Sequence, residues 1–138
     1  METPKVLVAG TSPKTVALAR DAFEPLGYQI ITAQPMSVAL FLAHKNLPEL
    51  IICPYEMLDG DGQTFLSEVQ RDDELCHIPF VFCIEELPET SAEFTAIRDG
   101  ASKVVSNRLT PAEFLGLVMP LIDERLANKG KRAETTPE

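Results

Sequence analysis

The sequence has no tryptophan, and its 138 residues include only three cysteines and two histidines. Each scarcity narrows the chemistry. Cys53, Cys76 and Cys83 lack metal-type spacing, which favours free thiols in a reducing compartment over a zinc site or a disulfide framework. His44 and His77 stand far apart, and neither has a neighbour in the sequence that suggests catalysis or metal binding. No apolar run approaches the roughly 18 residues of a membrane helix, so no membrane association is expected. Positive charge is also scarce. Twelve Lys and Arg face 21 Asp and Glu, a net charge of −9. That balance argues against nonspecific binding to nucleic acid or anionic membrane. A strand-like run starts at Val6, which leaves no room for a signal peptide and makes a cytoplasmic location the expectation.

What is present is an ordinary globular composition, 45% hydrophobic and 24% charged. A chain of this length suits one domain and buries roughly two-thirds of its unfolded surface. Short apolar runs predict strands at residues 6–9, 28–33, 50–53, 80–84 and 104–106. Amphipathic stretches predict helices at 13–26, 37–44, 63–72, 92–99 and 111–127. Five strands alternating with five helices imply an α/β fold, a parallel sheet covered on both faces. The first, third and fourth runs are almost wholly apolar and suit the centre. Gln29 and Thr32 in the second, and Lys103 and Ser106 at the fifth, suit the edges. This is compatible with a flavodoxin-like order of 2-1-3-4-5.

Helix punctuation agrees. Ser12-Pro13 reads as an N-cap followed by proline at the first helical position. Thr110-Pro111-Ala112-Glu113 and Thr90-Ser91-Ala92-Glu93 read as capping boxes. Gly27 and Gly100 fall where helices should stop. Residues 1–127 form the expected folded unit. Residues 128–138 lose their apolar side chains and read as a disordered tail or linker.

Several strings resemble the receiver (CheY-like) domain of bacterial response regulators. Pro48-Glu49 and the apolar run to Cys53 look like its third strand, and Asp61-Gly62 like the pair beyond it. Lys5-Val6-Leu7-Val8-Ala9 looks like its first strand, with Pro13 matching a frequent proline. Asp73 to Pro79, Gly100-Ala101 and Thr110 to Phe114 match later stretches. The resemblance covers residues 5–125. It implies a flavodoxin-like fold and a role in two-component signalling.

The same resemblance implies where phosphorylation chemistry would sit, and those positions hold unsuitable residues. Gly10 and Thr11 stand where two Mg²⁺-binding acids are implied. Pro54 replaces the phosphoacceptor aspartate, Ile84 a hydroxyl residue, Asn107 a lysine, and Val104 the aromatic switch residue. Mg²⁺ usually needs one or two carboxylates. Phosphoryl transfer needs an aligned nucleophile and neutralising cations. Neither is supplied. A degenerate pseudo-receiver follows: no enzyme, no cofactor, no metal, and an interaction module in place of a phosphorylation switch. The resemblance places binding of a protein partner, or of a second copy, on the face of the fourth helix, fifth strand and fifth helix. Glu93, Arg98, Lys103, Arg108 and Glu113 are the surface candidates there.

Glu56, Asp59 and Asp61 could form a displaced metal site, but a solvated turn with Asp61 capping the next helix fits better. Gly10 to Thr15 resembles a phosphate loop without a Walker pattern, and Ser12 as a cap explains it. Cys53 and Cys83 could be a redox pair, yet buried small hydrophobes fit free cysteines better. The runner-up function is binding of a nucleotide, flavin or quinone in an apolar pocket beside Pro54 and Ile84.

Overall fold

A computed structural model describes residues 3–85 and 100–134. Its strands are β1 (Lys5–Ala9), β2 (Gln29–Ala33), β3 (Leu50–Cys53), β4 (Glu56–Met57), β5 (Gly60–Asp61), β6 (Phe80–Ile84) and β7 (Lys103–Ser106). Its helices are α1 (Pro13–Phe23), α2 (Met36–Asn46), α3 (Gly62–Arg71) and α4 (Pro111–Glu134). Five strands form a parallel sheet in the order β2-β1-β3-β6-β7, while β4 and β5 form a separate hairpin. Without the hairpin this is the expected flavodoxin-like order 2-1-3-4-5. Four α-helices are present among the described residues. The expected helix 92–99, with Glu93 and Arg98, lies outside them.

Alternation along the strands builds two cores, one on each sheet face. Leu7, Ile51, Cys53, Phe80, Phe82 and Val104 point to one side, onto Ala39 and Ala43 of α2 and Phe65, Leu66 and Val69 of α3. Val6, Val8, Leu50, Ile52, Val81, Cys83 and Val105 point to the other. There they meet Leu18, Ala19 and Phe23 of α1 and Phe114, Val118 and Ile122 of α4. Strands buried on both sides read as unbroken apolar runs, as β3 does.

Local caps behave as expected. The Ser12 hydroxyl accepts from the Thr15 N–H at 3.2 Å. The Glu113 carboxylate accepts from the Thr110 N–H at 3.0 Å, and the Thr110 hydroxyl accepts from the Glu113 N–H at 3.2 Å. Three boundaries differ. The first helix stops at Phe23 and tightens into a 3₁₀ turn over Glu24–Leu26, because Pro25 has no N–H to continue the α ladder. The 56–61 turn closes as a short hairpin, with Asp59 left-handed at φ 55°. The last helix continues past residue 127 to Glu134. Apolar residues are not needed for helix propensity, which the alanines and charged residues there supply.

Candidate functional site at the carboxyl ends of the strands

In an open parallel sheet the crevice opens beyond the carboxyl ends of the strands, where the order reverses. That point lies between β1 and β3. Gly10 follows β1 and Pro54 follows β3, and the structure brings them together. A Cβ on Gly10 would sit 2.5 Å from Pro54 Cγ and 2.8 Å from Cδ. Gly10 also has φ +100°, which L side chains rarely adopt. The Pro54 ring therefore fills the space that a side chain at position 10 would need. Thr11, the next residue, is exposed.

The other end of the crevice is closed by neutral hydrogen bonds. Asn107 follows β7, and its N–H donates to the Ile84 carbonyl at 2.8 Å. Its side chain is buried, and Nδ2 donates to the Thr15 hydroxyl at 3.1 Å. Asn107 Oδ1 is buried with no hydrogen-bond partner. The Thr15 hydroxyl, also buried, bonds to Cys83, whose thiol is pushed up to about 11, chiefly by burial. Ile84 is half-buried against the core that holds Val104, and Val104 is itself 5% exposed. Gly10, Pro54, Thr15, Cys83, Ile84, Val104 and Asn107 supply neither carboxylate nor cation.

Cys53 is buried, and its thiol donates to the Pro54 carbonyl at 3.0 Å. Burial raises its pKa far above the ordinary thiol range, with the Asp61 charge adding to the effect. Cys53 pairs with Phe82 in the sheet, so Cys83 is one residue on and faces the opposite core. The two cysteines are thus not a redox pair. A thiol reagent near neutral pH is expected to modify Cys76 alone in the native chain, because Cys53 and Cys83 are the buried pair of its three free cysteines. Denaturation should release all three, and fast native labelling at Cys53 or Cys83 would contradict this packing.

The acidic loop caps helices. Asp61 accepts from the Thr64 N–H at 2.7 Å, as expected for the cap of α3. Asp59 has a role that the sequence did not reveal. It accepts from the Ser37 hydroxyl at 2.7 Å and from the Met36 N–H at 2.6 Å, capping α2 across the fold. The Ser37 bond is the main cause of its lowered carboxyl pKa. His44 also has partners that its isolation in sequence hid. Nε2 lies 2.9 Å from Asp72 and Nδ1 3.9 Å from Glu74. These exposed pairs tie α2 to the turn after α3 and carry little energy.

A cleft of about 440 Å³ does open beside Gly10, lined by Thr11, Ser12, Val16, Arg20, Thr32 and Gln34. Pro54 and Ile84 do not line it. Of the expected interaction residues, Arg108 is exposed and lies 3.7 Å from Glu85. Lys103 is half-buried on β7, and Glu113 is engaged in its capping box.

The architecture and crevice define a flavodoxin-like α/β domain. No family model matches the chain. It is 29% identical over 104 residues to histidine kinase P4 of Formosa agariphila, spanning 75% of this chain and 8% of that protein. It is 30% identical over 76 residues to the polar-differentiation response regulator DivK of Brucella anthropi, spanning 55% of this chain and 62% of that one. The chain thus covers less than two-thirds of the length of either. Chemotaxis protein CheY4 of Vibrio cholerae shares the fold at TM-score 0.77 and 20% identity, over 87% of this chain and 99% of that one. The chain is thus similar in sequence to response-regulator and histidine-kinase proteins, and it shares the fold of solved receiver structures. Among the described residues, no helix is long and apolar enough to cross a membrane.

Proposed function

We propose that this chain is a pseudo-receiver that works without phosphorylation, as a protein-interaction module in bacterial signal transduction. The observation that carries the reading is the packing of the Pro54 ring on Gly10. It fills the crevice where an acceptor and its metal ligands would have to converge. Asn107 strengthens the reading, since it is spent on Thr15 and carries no charge to neutralise a phosphoryl oxygen. With Ile84 and Val104 in place of a hydroxyl and an aromatic ring, nothing couples the crevice to a surface switch. Receiver domains are generally non-enzymatic signalling modules. In this reading the chain has no catalytic role and needs no cofactor or metal. It acts in the cytoplasm without binding nucleic acid or membrane. Residues 1–127 are its working unit.

By the resemblance, the partner, or a second copy, is expected on the face of the fourth helix, fifth strand and fifth helix, of which β7 and α4 are described here. Specific recognition needs roughly 800 Å² per partner, and decay of the crevice leaves that face intact. Charge reversal at Arg98 or Arg108 is expected to weaken partner capture, and at the exposed Arg108 it should barely move the melting curve, since exposed charges contribute little to folding. Reversal at Lys14, on another side, should matter less. Equal binding by all three variants would reject this face.

The cleft beside Gly10 supports a second reading, binding of a nucleotide, flavin or quinone. Arg20 provides a cation there. A ligand-dependent rise in melting temperature that Arg20→Ala abolishes would favour it over the interaction module.

A further inference from the structure

Helix α2 is apolar on the side that faces solvent as well as on the side that faces the sheet. Its buried residues are Ala39 and Ala43. Outside, Phe41 is 63% exposed and Val38 41%, with Leu58 of the adjoining hairpin at 51%. A helix face of this kind marks a contact surface, and its pattern indicates what covers it.

Phe41 is the midpoint of Met36–Asn46. A two-fold axis through an antiparallel helix pair at Phe41 would stack Phe41 on Phe41 of the second copy. It would bring Ser37 opposite Lys45 of that copy, and Val38 opposite His44. Ser37 holds the Asp59 carboxylate at 2.7 Å. The same rotation therefore sets Asp59 beside the Lys45 ammonium of the second copy, twice over. Lys45 already lies toward this face, 6.0 Å from the Phe41 ring centroid. The basic last turn of each helix would meet the start of the other, which carries the Asp59 carboxylate of the hairpin, and the helix dipoles would oppose favourably. A C₂ contact needs such self-complementarity. Most of the surface of a chain with net charge −9 would repel a second copy, but this face carries both signs in the required order.

We propose that two copies of this chain associate through α2, packed antiparallel about Phe41 and flanked by Lys45–Asp59 ion pairs. The surface is separate from β7 and α4, and the proposal does not depend on the crevice being inactive. A single helix stripe is small beside the roughly 800 Å² per partner of a stable interface, so the dimer is a weak one.

Sedimentation of the full chain over a concentration series tests it. Phe41→Glu is expected to weaken association by about thirtyfold or more, the loss typical of a central aromatic anchor, with an unchanged melting curve. Lys45→Glu should weaken it too, and adding Asp59→Lys should restore it by swapping the pair. Asp59 also caps α2, so a second measurement avoids that site. In a Cys76→Ser background, Phe41→Cys should form a disulfide-linked dimer under mild oxidation, while Leu117→Cys on α4 should not. A chain that stays monomeric, or links equally at both positions, would overturn the proposal. So would association that survives Phe41→Glu but fails on Arg108 reversal, which would assign the dimer to the other face.

Discussion

Phe82→Ala is expected to lower the free energy of unfolding by about 3–5 kcal/mol, the range for truncating a buried phenylalanine. Phe82 is fully buried in the second of the central strands, β6. Its ring lies 5.3 Å from Phe80 in a near-perpendicular arrangement and 4.8 Å from Tyr55. Truncation would leave a cavity between the sheet and α3 that those rings could fill only by leaving their own contacts. Denaturant melts should show the loss as a lower midpoint with an unchanged slope. Phe41→Ala, on the outer face of α2, provides the control and should move stability by no more than about 0.5 kcal/mol. A near-neutral Phe82→Ala would contradict the packing of β6.

Gly62→Ala should cost at the upper end of the roughly 1–3 kcal/mol expected for overpacking, or beyond it. A Cβ there would lie 2.2 Å from the Pro54 carbonyl oxygen, 2.6 Å from Phe82 Cε1 and 3.3 Å from Cys53 Sγ. The phenyl ring could yield, but the carbonyl belongs to the backbone. Position 62 cannot retreat from it, since the Gly62 N–H donates to the Tyr55 carbonyl at 2.7 Å. Phe82→Ala/Gly62→Ala should therefore be less stable than Phe82→Ala alone. Equal stability would mean that the ring was the whole obstacle.

Much of this fold is legible in the sequence because its determinants are local. Alternation of apolar residues places Leu7 and Val8 on opposite faces, and the runs that lack polar residues mark the central strands. Ser12, Asp61, and Thr110 with Glu113 cap helices within three residues of themselves, so sequence spacing exposes them. What the sequence hides is long-range. Asp59 caps a helix that starts 23 residues earlier, and Asn107 reaches back 92 residues to Thr15. No local pattern encodes either bond. Cys53 and Cys83 looked like neighbours because both end central strands, yet a one-residue offset in register turns them to opposite cores.

The candidate site was legible as a set of positions but not as a contact. The resemblance singled out Gly10 and Pro54 and implied what they lack. The sequence did not show that they fit each other, with the ring taking the volume a side chain at Gly10 would need. That mutual fit makes the missing chemistry hard to restore by a single substitution. Pro54→Asp would return a carboxylate while leaving Gly10, Thr11 and Asn107 as they are.

The most direct test is the intact mass of the chain after incubation with Mg²⁺ and a small phosphodonor, read alongside its spectral response to beryllium fluoride. The pseudo-receiver account predicts an unmodified mass and no response, for the natural sequence and for Pro54→Asp alike. A stable acyl-phosphate on any aspartate of the natural sequence would contradict it.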